Sequence, residues 1–294
     1  MSRAREIALE SARGTMTALR WAPRSTTAGA PVRVLALHGW LDNAASFVPL
    51  APHLDGIDLV ALDLPGHGGS AHRAPGHDYV FVDWIHDVLD ALDALGWERA
   101  VLLGHSMGGG IASLVAAAVP ARVERLALIE ALGPIGGRVE DAVTRLRTAV
   151  AARRVADAAP AARLVRTLPS REAAIDARLA ASSMTREAAA LIVDRNLRTV
   201  DGGVAWRSDP RLKLPGHVRS DEATVQAWLG AIECPVLVLA ADPSPPYFSP
   251  SIRDARVHAL RDGRCVEVKG GHHLHMEQAE DVAAVLHPFL VGAP

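Results

Sequence analysis

The chain has 294 residues, a net charge of −2, 49% hydrophobic residues and only 4% aromatic ones. That balance excludes a disordered polymer and offers no basic footprint for nucleic acid or an anionic membrane. The length suits one large α/β domain with an inserted subdomain, whose core is mostly Ala, Val, Leu and Ile.

Residues 5–22 alternate between apolar and polar and predict a β-hairpin turning at Arg13-Gly14. Val32–Leu37 and Ile57–Leu62 are short apolar runs that predict buried strands, with a helical stretch over 44–53 between them. Tyr79–Leu95 carries apolar residues at helical spacing and stops at Gly96. Ala100–Leu103 predicts a third strand, Met107–Val119 a small-residue helix closed by Pro120, and Val123–Ile129 a fourth strand. Strands alternating with helices imply a mostly parallel sheet.

The pattern breaks from about Gly133 to Gly230, which is rich in Ala and Arg with helical periodicity, including an Ala-rich run at 157–162. Ser170, Thr185 and Ser220 are expected as helix N-caps, and Asp201-Gly202-Gly203 as a turn between two short extended pieces. The chain therefore divides into a core of residues 1–133 and 231–294 and a mainly helical cap of residues 134–230. Pro235–Ala240 and Arg264–Lys269 resume the sheet, residues 247–260 are mixed, and His275–Leu290 predicts a closing helix.

Cys234 and Cys265 match neither CxxC nor a zinc spacing and are expected as reduced core thiols. The opening MSRAREIALE lacks an apolar stretch of signal-peptide length, and no run approaches the roughly 18 apolar residues of a membrane span. A cytoplasmic protein without a membrane partner is expected. The sequence sets no oligomeric state.

The chemistry concentrates in Gly104-His105-Ser106-Met107-Gly108, a Gly-x-Ser-x-Gly set between a buried strand and a small-residue helix. A serine on so sharp a turn tolerates no bulk two residues to either side, and glycine supplies the room. The turn lifts the hydroxyl above the strand ends at a helix start, where N–H groups favour an oxyanion. Ser106 is thus a candidate nucleophile. Oxyanion donors are expected from the backbone N–H groups of Met107 and of Trp40, in the loop after the first buried strand. The His38 and Trp40 side chains are read as packing their loop, and His67 and His105 as structural or pocket-lining.

Thirteen histidines compete for the role of base. His272 lies between the last strand and the final helix, at the strand end where α/β sheets build sites. His-His-x-His at 272–275 has an alternative reading as a metal cluster, but no matching carboxylate set accompanies it and Ser106 would be idle. No metal and no cofactor are expected.

Taken in order and spacing, LHGWLDNAASF, DLPGHGGS, GHSMGG and GHHLHMEQ resemble the α/β-hydrolase superfamily, over about residues 15–290. The long form of the first motif, with WRSDPRL in the insertion, is similar to the serine hydrolase-like branch. The resemblance implies esterase-type chemistry on a small acyl compound, with Ser106 as nucleophile and His272 as base. His275 and Glu277 match the helix that follows and need not react.

The acid is open between two carboxylates. The family's acid typically follows the strand at 235–240 as Gly-x-x-Asp. Here Asp242 comes one position early, and Pro243 holds the expected place. Glu130, ending the strand after the nucleophile helix, is the other candidate; some superfamily members use a carboxylate there. The reading leans to Glu130, because Asp242 before a proline is also an ordinary turn start. Lactonase, thioesterase and acyltransferase chemistry share these residues. Dehalogenase and epoxide hydrolase chemistry usually needs Asp where Ser106 stands. A non-catalytic hydrolase-fold receptor is the reading from a different class.

Overall fold

The computed structural model describes residues 4–23, 30–159 and 167–292. The Met1–Arg3 end of the opening segment and part of the Ala-rich run at 157–162 lie outside them.

Strands β1 (Arg5–Ser11) and β2 (Gly14–Trp21) form the hairpin, antiparallel with Ser11 opposite Gly14. The turn is therefore Ala12-Arg13, one residue earlier than expected, and Gly14 opens the second strand with φ 122°. β3 (Val32–Leu37), β4 (Ile57–Leu62), β5 (Ala100–His105), β6 (Val123–Ile129), β10 (Val236–Asp242) and β11 (Gly263–Lys269) complete the sheet. The strand order is β1-β2-β4-β3-β5-β6-β10-β11, parallel from β4 onward.

The central strands β3, β4, β5, β6 and β10 are largely apolar runs because both of their faces are covered. Leu35 and Leu37 face a core shared with Val88, Leu92, Ile111 and Val115 of helices α1 (Trp84–Ala94) and α2 (Met107–Ala118). Val34 and Ala36 point the other way, onto Phe47, Leu50 and residues Val282, Leu286 and Leu290 of the closing helix. Residues 44–53 form two 3-10 turns, Ala44–Phe47 and Ala51–His53, rather than an α-helix; Pro52 removes an N–H and the segment is too short to nucleate one. The closing helix is split into Leu274–Glu277 and Ala279–Val291.

Between β6 and β10 lie α3 (Ala142–Ala158), α4 (Arg171–Ala181), α5 (Arg186–Asn196) and α6 (Glu222–Gly230). Ser170 and Thr185 cap α4 and α5 through Ala173 N–H and Ala188 N–H. Ser220 does not cap α6. Asp221 does, its carboxylate accepting Thr224 N–H, because the helix starts one residue later. Strands accompany these helices, and two of them are the extended pieces expected around the 201–203 turn. Thr167–Leu168 (β7), Leu197–Val200 (β8) and Gly203–Trp206 (β9) form a small antiparallel sheet, with the 201–203 turn closing its hairpin. Both cysteines are free and half-buried, and burial raises the thiol pKa of each. No helix among the described residues is long and apolar enough to cross a membrane.

Candidate active site

Among the described residues three non-glycine residues have positive φ: Leu41 (59°), Ser106 (51°) and Glu130 (56°). Each follows the carboxyl end of a parallel strand, β3, β5 or β6. Such backbone is costly for a side-chain-bearing residue and clusters at functional sites.

Glycine makes the Ser106 turn possible. A Cβ on Gly108 would sit 2.1 Å from Leu37 O, and one on Gly104 would sit 2.5 Å from Gly109 Cα. The expected need for room on both sides of Ser106 is met in this packing. Gly109 and Gly110 both donate their N–H to Ser106 O, starting α2 at once. Met107 is the first residue of that helix, where N–H groups lack intrahelical acceptors.

In the loop after β3, Asp42 N–H donates to Gly39 O at 3.1 Å, closing a tight turn that contains Trp40. Among the described residues the Trp40 N–H has no backbone acceptor. Its indole is half exposed and donates to Leu212 O of the WRSDPRL stretch at 3.1 Å. His38 is fully buried. Its Nδ1 donates to Gly39 O at 2.8 Å and its Nε2 accepts Leu64 N–H at 3.0 Å, so it packs and pins the loop, as expected.

His272 Nε2 lies 3.0 Å from Ser106 Oγ, and its Nδ1 lies 3.3 Å from Glu130 Oε2. The other Glu130 oxygen accepts Ala241 N–H at 2.5 Å, and the Glu130 carboxylate is fully buried. The structure thus brings Ser106, His272 and Glu130 into one chain and leaves Asp242 out of it. The Asp242 side chain is exposed and, among the described residues, makes no hydrogen bond or ion pair with His272. The cause is register. Glu130 N–H donates to Leu239 O at 2.8 Å, which draws the end of β6 inward beside β10 and turns the glutamate beneath the imidazole.

Behind the imidazole sits a buried group that the sequence reading did not anticipate. Asp42, almost wholly buried, pairs with Arg178 of α4 and lies 3.5 Å from His273 Nε2 and 3.6 Å from His105 Nδ1. Burial opposes ionisation of Asp42. The His273 hydrogen bond and then the Arg178 charge outweigh it and hold the carboxyl far below its usual range. His105 Nε2 donates to His272 O at 2.8 Å, linking the nucleophile's neighbour to the base's own loop. Burial, then the adjacent histidines, pushes His105 well below the ordinary imidazole pKa. His275, with neither ring nitrogen bonded, is pushed down to about 3 by burial and then by His273. His67 is also driven to about 3, by burial and then by His38. Among the described residues no group of three or more His, Cys, Asp or Glu side chains is arranged to hold a metal ion.

Tyr247 was also missed. Its hydroxyl lies 2.8 Å from His272 Nδ1. The available signal was Asp242-Pro243-Ser244-Pro245-Pro246, a proline-stiffened loop ending in one of only two tyrosines in the chain.

The α/β-hydrolase fold family matches residues 32–279. This chain is an α/β-hydrolase. It belongs to the serine hydrolase-like branch, being 33% identical over 276 residues to a serine hydrolase-like protein of Dictyostelium discoideum, with 89% of this chain and 74% of that one covered. A serine hydrolase-like protein of Danio rerio is 32% identical, covering 87% of this chain and 81% of its own. Among solved structures, a hypothetical protein from Pseudomonas aeruginosa PAO1 superposes with a TM-score of 0.88 at 38% identity, over 97% of this hydrolase and 99% of that chain. A thioesterase domain from the curacin biosynthetic pathway shares the fold, with a TM-score of 0.80 at 24% identity. For this α/β-hydrolase the matches support a hydrolase as the coarse function.

Proposed function

We propose that this hydrolase cleaves a carboxylic ester, or a related acyl compound, through a Ser106–His272–Glu130 triad and an acyl-enzyme. The observation that carries the reading is the unbroken chain from Ser106 Oγ to His272 Nε2 at 3.0 Å and from Nδ1 to Glu130 Oε2 at 3.3 Å.

His272 Nε2 takes the Ser106 proton as Oγ attacks the acyl carbon. The N–H groups of Met107 and Trp40 hold the oxyanion; N–H dipoles fixed before reaction need no reorganisation when charge develops. Glu130 holds the tautomer in which Nε2 is free to accept and stabilises the imidazolium. The imidazolium then protonates the leaving group. Water, deprotonated by the same nitrogen, attacks the acyl-enzyme, and Ser106 leaves with its proton restored.

Residues 134–230 act in this reading as a cap over the strand ends. Asn43 Nδ2 donating to Ile192 O at 2.8 Å, Trp40 bound to Leu212 and Arg195 paired with Asp63 at 2.7 Å support that placement, each joining the insertion to a site loop. A cap excludes water and strengthens the electrostatics beneath it. The substrate is a small acyl molecule, and the enzyme acts in the cytoplasm.

A fluorophosphonate probe tests the reading. Native protein is expected to form a single adduct that Ser106→Ala abolishes. No adduct, or one that survives the substitution, refutes it and favours a receptor. p-Nitrophenyl esters of graded acyl length, with a thioester and a lactone, then define the substrate.

A further inference from the structure

With Ser106 and His272 reacting as proposed above, we infer that Arg178 of the insertion is a positioning residue for the base. By neutralising Asp42 it preserves the hydrogen bond that fixes the His272 backbone.

His105 Nε2 lies 2.8 Å from His272 O. A carbonyl oxygen only accepts, so Nε2 carries the hydrogen. Burial, and then the adjacent histidines, keep His105 from taking a second proton. Its Nδ1 therefore presents a lone pair, and Asp42 Oδ2 stands 3.6 Å from it. Two acceptors face each other. Among the described residues nothing bonds to this buried Nδ1, and His275, with its ring centre 4.2 Å from that of His105, bonds through neither nitrogen. The close approach needs glycine at position 39. A Cβ there would sit 2.9 Å from Asp42 Oδ2 and 3.0 Å from His105 Nδ1.

Two groups offset the repulsion. His273 Nε2 lies 3.5 Å from the same Asp42 oxygen, and Arg178 binds the other oxygen. Of these, the guanidinium is the one that is charged at every working pH. The Asp42 and Arg178 side chains are only 2% and 11% exposed, so water screens them little. Without Arg178, an unbalanced carboxylate faces the His105 lone pair. The imidazole relieves this by turning its N–H toward Asp42, and then no N–H is left for His272 O. The base's backbone thereby loses its tie to the residue that precedes Ser106, and the 3.0 Å contact between Nε2 and Oγ loses its support. Arg178 stands on α4, so alignment of the base depends on how the insertion sits.

The test compares Arg178→Gln, Arg178→Lys and the double variant Arg178→Gln/Asp42→Asn on a p-nitrophenyl ester that native enzyme turns over, at neutral pH. Circular dichroism checks that each is folded at the assay temperature, and the fluorophosphonate counts reactive sites. Arg178→Gln should lose about 10- to 100-fold in kcat per labelled site, as when a distant change displaces a reacting group by about 1 Å, with KM within about 3-fold. Arg178→Lys keeps the charge and should stay within about 5-fold of native. The double variant removes the carboxylate and offers His105 Nδ1 an amide N–H, so it should regain most of the loss. A merely structural role leaves kcat of the folded protein native in Arg178→Gln. That result, or a double variant as slow as Arg178→Gln, overturns the inference while leaving Ser106 as nucleophile. If Arg178→Gln does not fold, the other two variants decide. A kcat within about 5-fold of native in both upholds the inference, and a larger loss in either overturns it. Failure of the probe to label native protein overturns the serine reading itself, and this inference with it.

Discussion

Glu130 and His272 lie 142 positions apart in sequence and 3.3 Å apart in space, and the Glu130 carboxylate is buried completely. A buried carboxylate needs partners, and this one has two: the imidazole and Ala241 N–H. Glu130→Gln keeps the shape but offers an amide where the imidazolium needs a charge. Its kcat on a p-nitrophenyl ester should fall by about 10²- to 10⁴-fold. Asp242→Asn should stay within about 2-fold, as expected of an exposed surface change. The reverse pattern in steady-state kinetics would transfer the role to Asp242.

The buried Arg178–Asp42 pair joins the insertion to the loop that carries Trp40. Arg178→Gln leaves Asp42 ionised and buried without its strongest formal charge partner. Removing one member of a buried pair typically costs about 3–5 kcal/mol. The unfolding midpoint in urea should fall accordingly. Because Asp42's folded pKa is depressed, its stabilising contribution is present above the ordinary carboxylate pKa and fades as pH falls toward the folded value. In Arg178→Gln that fading should begin at a higher pH, seen as an upward shift of the acid-unfolding midpoint by circular dichroism.

Among the described residues neither ring nitrogen of His275 has a hydrogen-bond partner, and burial pushes its pKa down to about 3. Unfolding restores its ordinary value near 6.5. Between those values the unfolded chain binds the extra proton, so native stability falls as pH drops through that window. At pH 5 one such histidine removes about 2 kcal/mol relative to pH 7 or above. His275→Leu should reduce the stability lost between pH 7 and pH 5 by about that amount in denaturant titrations. An unchanged pH dependence would show that His275 is not the group titrating there.

Gly108→Ala drives a methyl into the Leu37 carbonyl, whose oxygen lies 2.1 Å from the new Cβ. Backbone cannot yield as a flexible side chain can. A cost of about 3 kcal/mol or more is expected. That corresponds to a melting temperature lower by about 6–12 °C in calorimetry.

Strand positions and the strained turn at Ser106 were legible because each depends on local rules. Val32–Leu37 and Ile57–Leu62 appear as strands with the bounds read from their apolar runs. Ser106 announces itself because a strained turn demands glycine two residues to either side. The 44–53 segment misled because apolar spacing alone does not separate two 3-10 turns from one helix. The Asp201-Gly202-Gly203 turn made the two extended pieces β8 and β9 legible, whereas the two-residue β7 was obscured because so short an antiparallel edge carries little periodicity amid Ala- and Arg-rich helices.

By itself, the sequence determined the sheet's main strands, the Ser106 turn and the loop that bears His272. Steric demands over a few residues write those features directly. Only the tertiary structure decided which carboxylate meets the imidazole. The pairing of β6 with β10 turns Glu130 inward and leaves Asp242 outside, and such register between distant strands has no short-range signature. The same holds for Tyr247 at His272, and for Asp42 gathering Arg178, His105 and His273. Those contacts join residues from separate loops, and it is packing of the whole sheet that brings the loops together.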